Sequence, residues 1–597
     1  MKRLFLILIF VASSFPLWCQ NDALQQKLEN ALMYVDEQTI QEGFYVDGYI
    51  EKQFRQGNYS GVLRNAKAHL QNRRSMINQM YFSLSEQERA ELSIMIEGNL
   101  IFHYILSASV HANTDEVMGD VYDYLLFMKQ SQLRTSKQIA DAIKRSGNND
   151  LLYIYNGHND IRKQLAQSNP PRSLNRDSLQ NLQNRSGRVL AHYGKQYLDQ
   201  DAVTWRDIQK RLGNGEAAIE FVRFNLFKGE NITSLHQYAA VVVTKTCTQP
   251  KLILMTSEKY LTYWNTNNPG DLYKVNLYGA ALGQWIWLDI LTYLDRQDVT
   301  TIYFSPAGIL NNMAIESLPY DQESPMSYHY NLTRLTSTRE LVSKHNHYLR
   351  NNATLYGDLS YRLKPESNQS LATTRSAVFP LPWSRQEIDC INRILSASKY
   401  AVRTLSQRQG TEASFKLLDG RSPSVLHVAT HGFVNRSTTT DAMKQSGLIM
   451  SYGARAWEGK LVEPGTEDGL LTAAEIASLD LSGTDIVVLS ACNTALGEIT
   501  SEGVWGLQRA FKQAGVQSIV MSLWQVDDEA AAVFMQYFYE ALVKGRRTLA
   551  KAAAMDTDIA ERIFDYPHDA LRTAQDKMRK HPKYSDPYFW AAFIVII

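Results

Sequence analysis

The sequence predicts an α-helical, solenoid-like region followed by two consecutive α/β units, and three observations carry that reading. Up to about residue 200, apolar and aromatic side chains recur at three- and four-residue spacing. After Trp205, short β-rich runs alternate with helical stretches. A second series of the same kind opens at residue 353 and contains two strand ends that carry reactive side chains.

The totals agree with several domains, because 597 residues exceed the ~250–300 that one core usually serves. An apolar fraction of 44% and a charged fraction of 21% are ordinary for a globular chain. With 62 basic and 61 acidic residues there is no electrostatic case for nucleic acid or an anionic membrane surface. Residues 1–20 read as a secretory signal: Lys2 and Arg3 precede a mostly apolar run that Pro16 interrupts before Gln20. The expectation is export to the periplasm, the cell surface or the medium. Cys19 follows the bulky Trp18, which argues against lipidation. No second long apolar run occurs, so no membrane span is expected after signal removal.

Signal removal leaves Cys247, Cys390 and Cys492, an odd number, so at least one thiol stays free. No CxxC or HExxH pattern is present, so no metal and no organic cofactor is expected.

Residues 21–200 form the helical region. Val121, Leu125 and Met128 show the spacing, and proline is scarce until Pro170-Pro171. No clean 34-residue period emerges. Residues 201–350 carry the strand-like runs 217–224, 238–245, 251–255 and 301–306, with a helical stretch over 278–294. Residues 351–597 carry runs at 353–361, 424–432, 484–493 and 516–524. Strands alternating with helices predict largely parallel sheets.

Two of these runs end in chemistry. SVLHVAT ends at His431-Gly432, and DIVVLSA ends at Cys492-Asn493. In open α/β sheets ligands bind beyond the carboxyl ends of the strands, so both side chains are expected on one rim. A thiol is nucleophilic as thiolate, and a neighbouring imidazole takes its proton and later returns one to a departing amine. The N–H groups of Gly432 and Cys492 are candidate donors to a developing oxyanion. Cysteine also fills cores as a small hydrophobe. His427 shares a strand face with His431, but it lies inside the apolar run and reads as a hydrogen-bonded core histidine.

The stretches HVATHGF, EDGLLTAAEIASLDLSGTDIVVLSACNTALGE and EGVWGLQRAFKQAGVQSIVMSLWQVDDEAA resemble the CHAT family, caspase-like domains associated with tetratricopeptide repeats. DPYFWAAFIVI is similar to the family's last strand, residues 381–389 to its lead-in segment and residues 203–224 to its opening. Together with the helical stretch from about Asp115, the resemblance covers about four-fifths of the chain. It implies a caspase-like fold with a His–Cys dyad at His431 and Cys492. It also implies that the first α/β unit is a pseudo-caspase partner of the catalytic second one. Calcium dependence occurs in related caspase-like folds, and the sequence leaves it open here.

The 516–524 run leads into Gln525-Val526-Asp527-Asp528-Glu529. Separases, caspase-like relatives, carry a similar Trp-x-Val-x-Asp segment beside the pocket for the residue preceding the cleaved bond. Asp528, or Asp527, would there favour Arg or Lys; alternatively these acids form the first turn of a helix. Residues 503–515 read as a helix with Gly515 as its C-cap. Residues 435–469 include a polar connection between the two reactive strands, with Arg436, Lys444, Arg455 and Lys460 as candidate processing points. The expected function is endopeptidase action on protein or peptide substrates, with a protein partner on the helical region. A catalytically idle interaction scaffold and a hydrolase of non-peptide amides or esters are the alternatives.

Overall fold

The computed structural model describes residues 29–97, 100–197, 203–228, 231–263, 269–343, 350–362, 378–434, 442–460, 462–491, 498–500, 503–555 and 566–597. The expected signal, residues 1–20, and Arg436 lie outside them.

Helices dominate up to residue 194, and several are begun by a side chain that accepts from their first amides. Asp36 accepts from the Thr39 amide and opens Glu37–Arg55; Asn58 accepts from Gly61 and opens Tyr59–Tyr81. The short link makes these two an antiparallel hairpin. Helices Leu100–Ala112 and Met118–Met128 bury most of their residues. Tyr104 stacks on Phe54 at 4.6 Å and tilts against Phe227 of the first sheet at 4.9 Å.

The first sheet contains β1 (Glu216–Lys228), β2 (Asn231–Thr244), β3 (Lys251–Ser257), β4 (Thr301–Ser305) and β5 (Asn331–Arg334), in the order β3-β2-β1-β4-β5. Strands β4 and β5 run parallel to β1, but β1, β2 and β3 form an antiparallel meander. The sheet is therefore mixed, not largely parallel as the sequence predicts. The reason is the short connection between Lys228 and its partner Asn231, which reverses the chain, whereas a parallel neighbour needs a long crossover. Helix Leu277–Asp295 supplies such a crossover between β3 and β4.

The second sheet contains β6 (Asn352–Leu359), β7 (Ala401–Gln407), β8 (Val425–Ala429), β12 (Ile486–Ser490), β15 (Ser518–Ser522) and β16 (Phe593–Ile596). Its order is β16-β15-β12-β8-β6-β7, all parallel except the β16 edge. Between β8 and β12 the chain forms β9 (His431–Val434), β10 (Ser446–Ile449) and β11 (Leu470–Thr472), a small antiparallel sheet. The expected polar connection is thus partly folded structure, because Leu448 and Ile449 are apolar enough to be buried. Two further strands, β13 (Glu498–Thr500) and β14 (Gly503–Trp505), pair before helix Leu507–Gln513. The helix expected from residue 503 therefore starts at Leu507; Gly515, at φ +99°, ends it as expected.

Buried polar contacts tie the parts together. Lys129, just past helix Met118–Met128, reaches Glu220 of β1 at 2.6 Å and donates to the Ser305 carbonyl at 3.0 Å. The other Glu220 oxygen accepts from the Thr338 amide and hydroxyl, both at 2.7 Å. The two sheets meet at their edges: the Thr336 amide donates to the Ile597 carbonyl at 2.9 Å. Nε2 of His568 lies 3.2 Å from both the Arg334 amide and the Val595 carbonyl, between β5 and β16.

Burial, reinforced by Arg572 and Arg334, holds the His568 imidazole down at about 3, against an ordinary 6.5. The folded protein refuses a proton that the unfolded chain accepts, so this site favours folding above about pH 6.5 and loses that contribution as pH falls. Urea unfolding should show wild type losing on the order of 2 kcal/mol from this site between about pH 7 and pH 5. His568→Phe should lose that much less over the same interval; equal slopes would contradict the assignment.

Candidate active site

Strands β8 and β12 are apolar, β-branched and almost wholly buried, as strands covered on both faces must be. They pair in register from Ile486 opposite Val425 to Ser490 opposite Ala429. The Thr430 amide donates to the Ser490 carbonyl at 3.3 Å, and the Ser522 hydroxyl holds the Ala491 carbonyl at 2.7 Å. The described chain thus brings residues 430 and 491 to the same end of the sheet. Cys492 itself lies outside the described residues.

At Thr430 the chain leaves the parallel sheet. Its buried hydroxyl donates to the Ile449 carbonyl at 2.5 Å and meets the Tyr361 hydroxyl at 3.0 Å. That anchor swings the next residues into β9, where His431 faces Ile449 and Gly432 faces Leu448. The His431 ring lies 5.1 Å from the Tyr361 ring, and its Nε2 sits 2.7 Å from the Phe379 carbonyl. A carbonyl only accepts, so this contact places a proton on Nε2 and leaves Nδ1 with a free lone pair. Burial keeps the imidazole below its usual titration range, partly offset by the Phe379 contact. A neutral ring of fixed tautomer is what a general base requires.

His427 has a different environment. It is fully buried, with Nδ1 3.2 Å from the Tyr539 hydroxyl and Nε2 3.0 Å from a Glu387 oxygen. It is a core histidine.

Asp527 and Asp528 lie just past β15. Asp527 is exposed and accepts from the Ala530 amide at 3.0 Å; Asp528 begins helix Asp528–Met555. The expected specificity acids and the expected helix start are therefore the same residues. Oδ2 of Asp528 accepts from the Trp383 amide at 2.9 Å. Partial burial, with Glu387 and Asp527 close by, pushes its carboxyl up to about 6. Trp524 of the same segment stacks on Tyr273 of the first unit at 5.4 Å. Phe379, Tyr361 and Trp383 were not singled out by sequence reasoning for the site. For Trp383 the signal was the similarity of 381–389 to a family lead-in segment, and Tyr361 closes the strand-like run 353–361.

Among the described residues, Glu412, Glu467 and Glu475 are the carboxylates close enough to share a cation. The Lys416 ammonium already lies 2.7, 2.7 and 3.0 Å from the three. Burial and the neighbouring carboxylates raise Glu412 to about 10. The cluster is satisfied by an internal cation. Cys247 and Cys390 are both free thiols, and burial raises that of Cys390.

The CHAT domain family model matches residues 276–597, more than half of the chain. This stretch includes the whole second sheet, and the fold is caspase-like. The chain is 36% identical over 105 residues to Tetratricopeptide repeat protein 28 of Mus musculus and 32% identical over 133 residues to that of Homo sapiens. These matches cover 17% and 22% of this chain but only 4% and 5% of those proteins. Among solved structures, the Arg-specific cysteine proteinase gingipain R (RgpB) is similar over 57% of this chain and 74% of its own, at 10% identity and TM-score 0.30. The complex of Porphyromonas gingivalis RgpB pro- and mature domains gives 57% and 76%, at 11% identity and TM-score 0.31. The Saccharomyces cerevisiae separase–securin complex gives 96% and 48%, at 9% identity and TM-score 0.35. Among the described residues no helix is long and apolar enough to cross a membrane.

The two histidines should separate in a stability measurement. His427→Ala opens a core cavity and strands the Tyr539 hydroxyl, so denaturant unfolding should show a loss of ~2–4 kcal/mol. His431→Ala, partly exposed, should cost under ~1 kcal/mol. The reverse order would contradict the assignment of roles.

Proposed function

The chain belongs to the CHAT domain family, and on that footing we propose that it is an exported caspase-like cysteine endopeptidase with Cys492 as nucleophile and His431 as base. One observation carries the reading. His431, two residues past the carboxyl end of β8, is held in a single neutral tautomer by the Phe379 carbonyl, and among the described residues nothing occupies Nδ1.

The chemistry follows from that state. Nδ1 takes the Cys492 proton, and the thiolate attacks the peptide carbonyl. The Gly432 and Cys492 amides stabilise the oxyanion, and the imidazolium gives its proton to the departing amine. Water, activated by the same ring, then releases the acyl group. Tyr361 and Phe379 keep the ring in place through the cycle.

A preference for Arg or Lys before the cleaved bond is part of the proposal. Its support is the acid pair Asp527 and Asp528. Asp528 is partly buried beside other acids, and among the described residues no ion pair offsets its charge. A substrate cation there would relieve that repulsion. The helical region is proposed to bind a protein partner or to present substrate.

Purified mature protein incubated with a diverse peptide library should cleave after basic residues. Cys492→Ala and His431→Ala should lower cleavage by at least ~10³-fold. Turnover that persists in both variants would reject the dyad. No turnover in wild type, with candidate partners present, would favour a non-catalytic interaction scaffold.

A further inference from the structure

We infer that Asp528 is a positioning residue for His431, acting through the backbone strap Phe379–Trp383. The inference rests on the proposed dyad but concerns a different group of contacts. Phe379, Pro380, Leu381, Pro382 and Trp383 run from the imidazole to the carboxylate. At one end the Phe379 carbonyl meets His431 Nε2 at 2.7 Å. At the other the Trp383 amide donates to Asp528 Oδ2 at 2.9 Å.

The carboxylate is needed there for a local reason. Trp383 is the first residue of helix Trp383–Ala397, and the first amides of a helix have no partner within it. The capping position is Pro382, which has no side-chain acceptor. Asp528, at the start of a second helix packed against the first, supplies the missing acceptor from outside.

The strap can transmit a position because it has little freedom. Two prolines fix their own φ angles and narrow the residues before them. The Ser384 hydroxyl donates to the Leu381 carbonyl at 2.6 Å and accepts from the Asp358 amide at 2.9 Å, tying the middle to the end of β6. With the Trp383 end fixed, the Phe379 carbonyl has a fixed place beside the ring. That carbonyl sets the tautomer, so Asp528 acts on the base without touching it.

This role needs an acceptor at residue 528 and no charge, whereas a specificity role needs the charge. Asp528→Asn keeps an acceptor, and Asp528→Ala removes it. The readout is the pair of ring ¹⁵N resonances of His431 in full-length protein labelled at histidine, identified by their loss in His431→Gln and recorded above the ring's titration. Wild type and Asp528→Asn should show one tautomer with the proton on Nε2. Asp528→Ala should show the averaged resonances of an exchanging ring. Asp528→Leu, which also lacks an acceptor, replaces the alanine variant if that variant does not fold. A fixed Nε2–H tautomer in the variants without an acceptor overturns the inference. So does an averaged one in Asp528→Asn. The spectrum needs no substrate, so wild type that cleaves no peptide rejects the peptidase reading and leaves this result standing.

Discussion

The parallel pairing of β8 with β12 sets the level at which the chain leaves the second sheet, and the described site follows from that level. Ser490 lies opposite Ala429, so residues 430 and 491 emerge side by side. The register is hard to change because both strands are buried. A one-residue slip would send every side chain to the other face of the sheet. Apolar packing thus fixes the spacing of polar groups that it never touches. Thr430 then converts the strand end into a turn, spending its buried hydroxyl on Ile449 and Tyr361.

The rest of the molecule holds this sheet in place. One apolar cluster runs from Ala31 in the helices to Ile597, just past β16. Within it sit a few polar contacts that specify which surfaces meet. Lys129 and Glu220 are both buried, so neither is tolerable without the other, and their pairing docks the helical region on the first sheet. Burial lowers the Lys129 titration range despite that partner. Arg334 and Glu316, buried at 2.7 Å, and His568 mark the seam between the two sheets. Lys416 with its three glutamates follows the same rule next to the helical region: Ser168 donates its amide to Glu475 at 3.1 Å.

The legibility of each feature depended on how local its cause was. The two buried strands that lead to His431 and Cys492 could be read because a run of neighbouring apolar residues defines each of them. His427 could be set apart from His431 because an apolar run encloses it. The mixed first sheet could not be read from its strands, since the direction of β2 is decided by a connection a few residues long. The strand over Gly503–Trp505 was hidden because Val504 fits a helical face as well as a strand. Asp528 was legible as an acid just past a strand, but its contact with the Trp383 amide spans 145 residues of sequence.

By itself the sequence determined the caspase-like class, the helical region before it and the residue types available for thiol chemistry. These follow from apolar periodicity and from ordered motifs, which are properties of neighbouring residues. Only the tertiary structure decided that the Phe379 carbonyl sets the His431 tautomer and that Lys416 fills the carboxylate cluster. It also decided that Asp528 completes another helix. Each of these needs polar groups to be drawn out of water and left to satisfy one another. Burial creates that condition, and burial exists only once distant segments have packed.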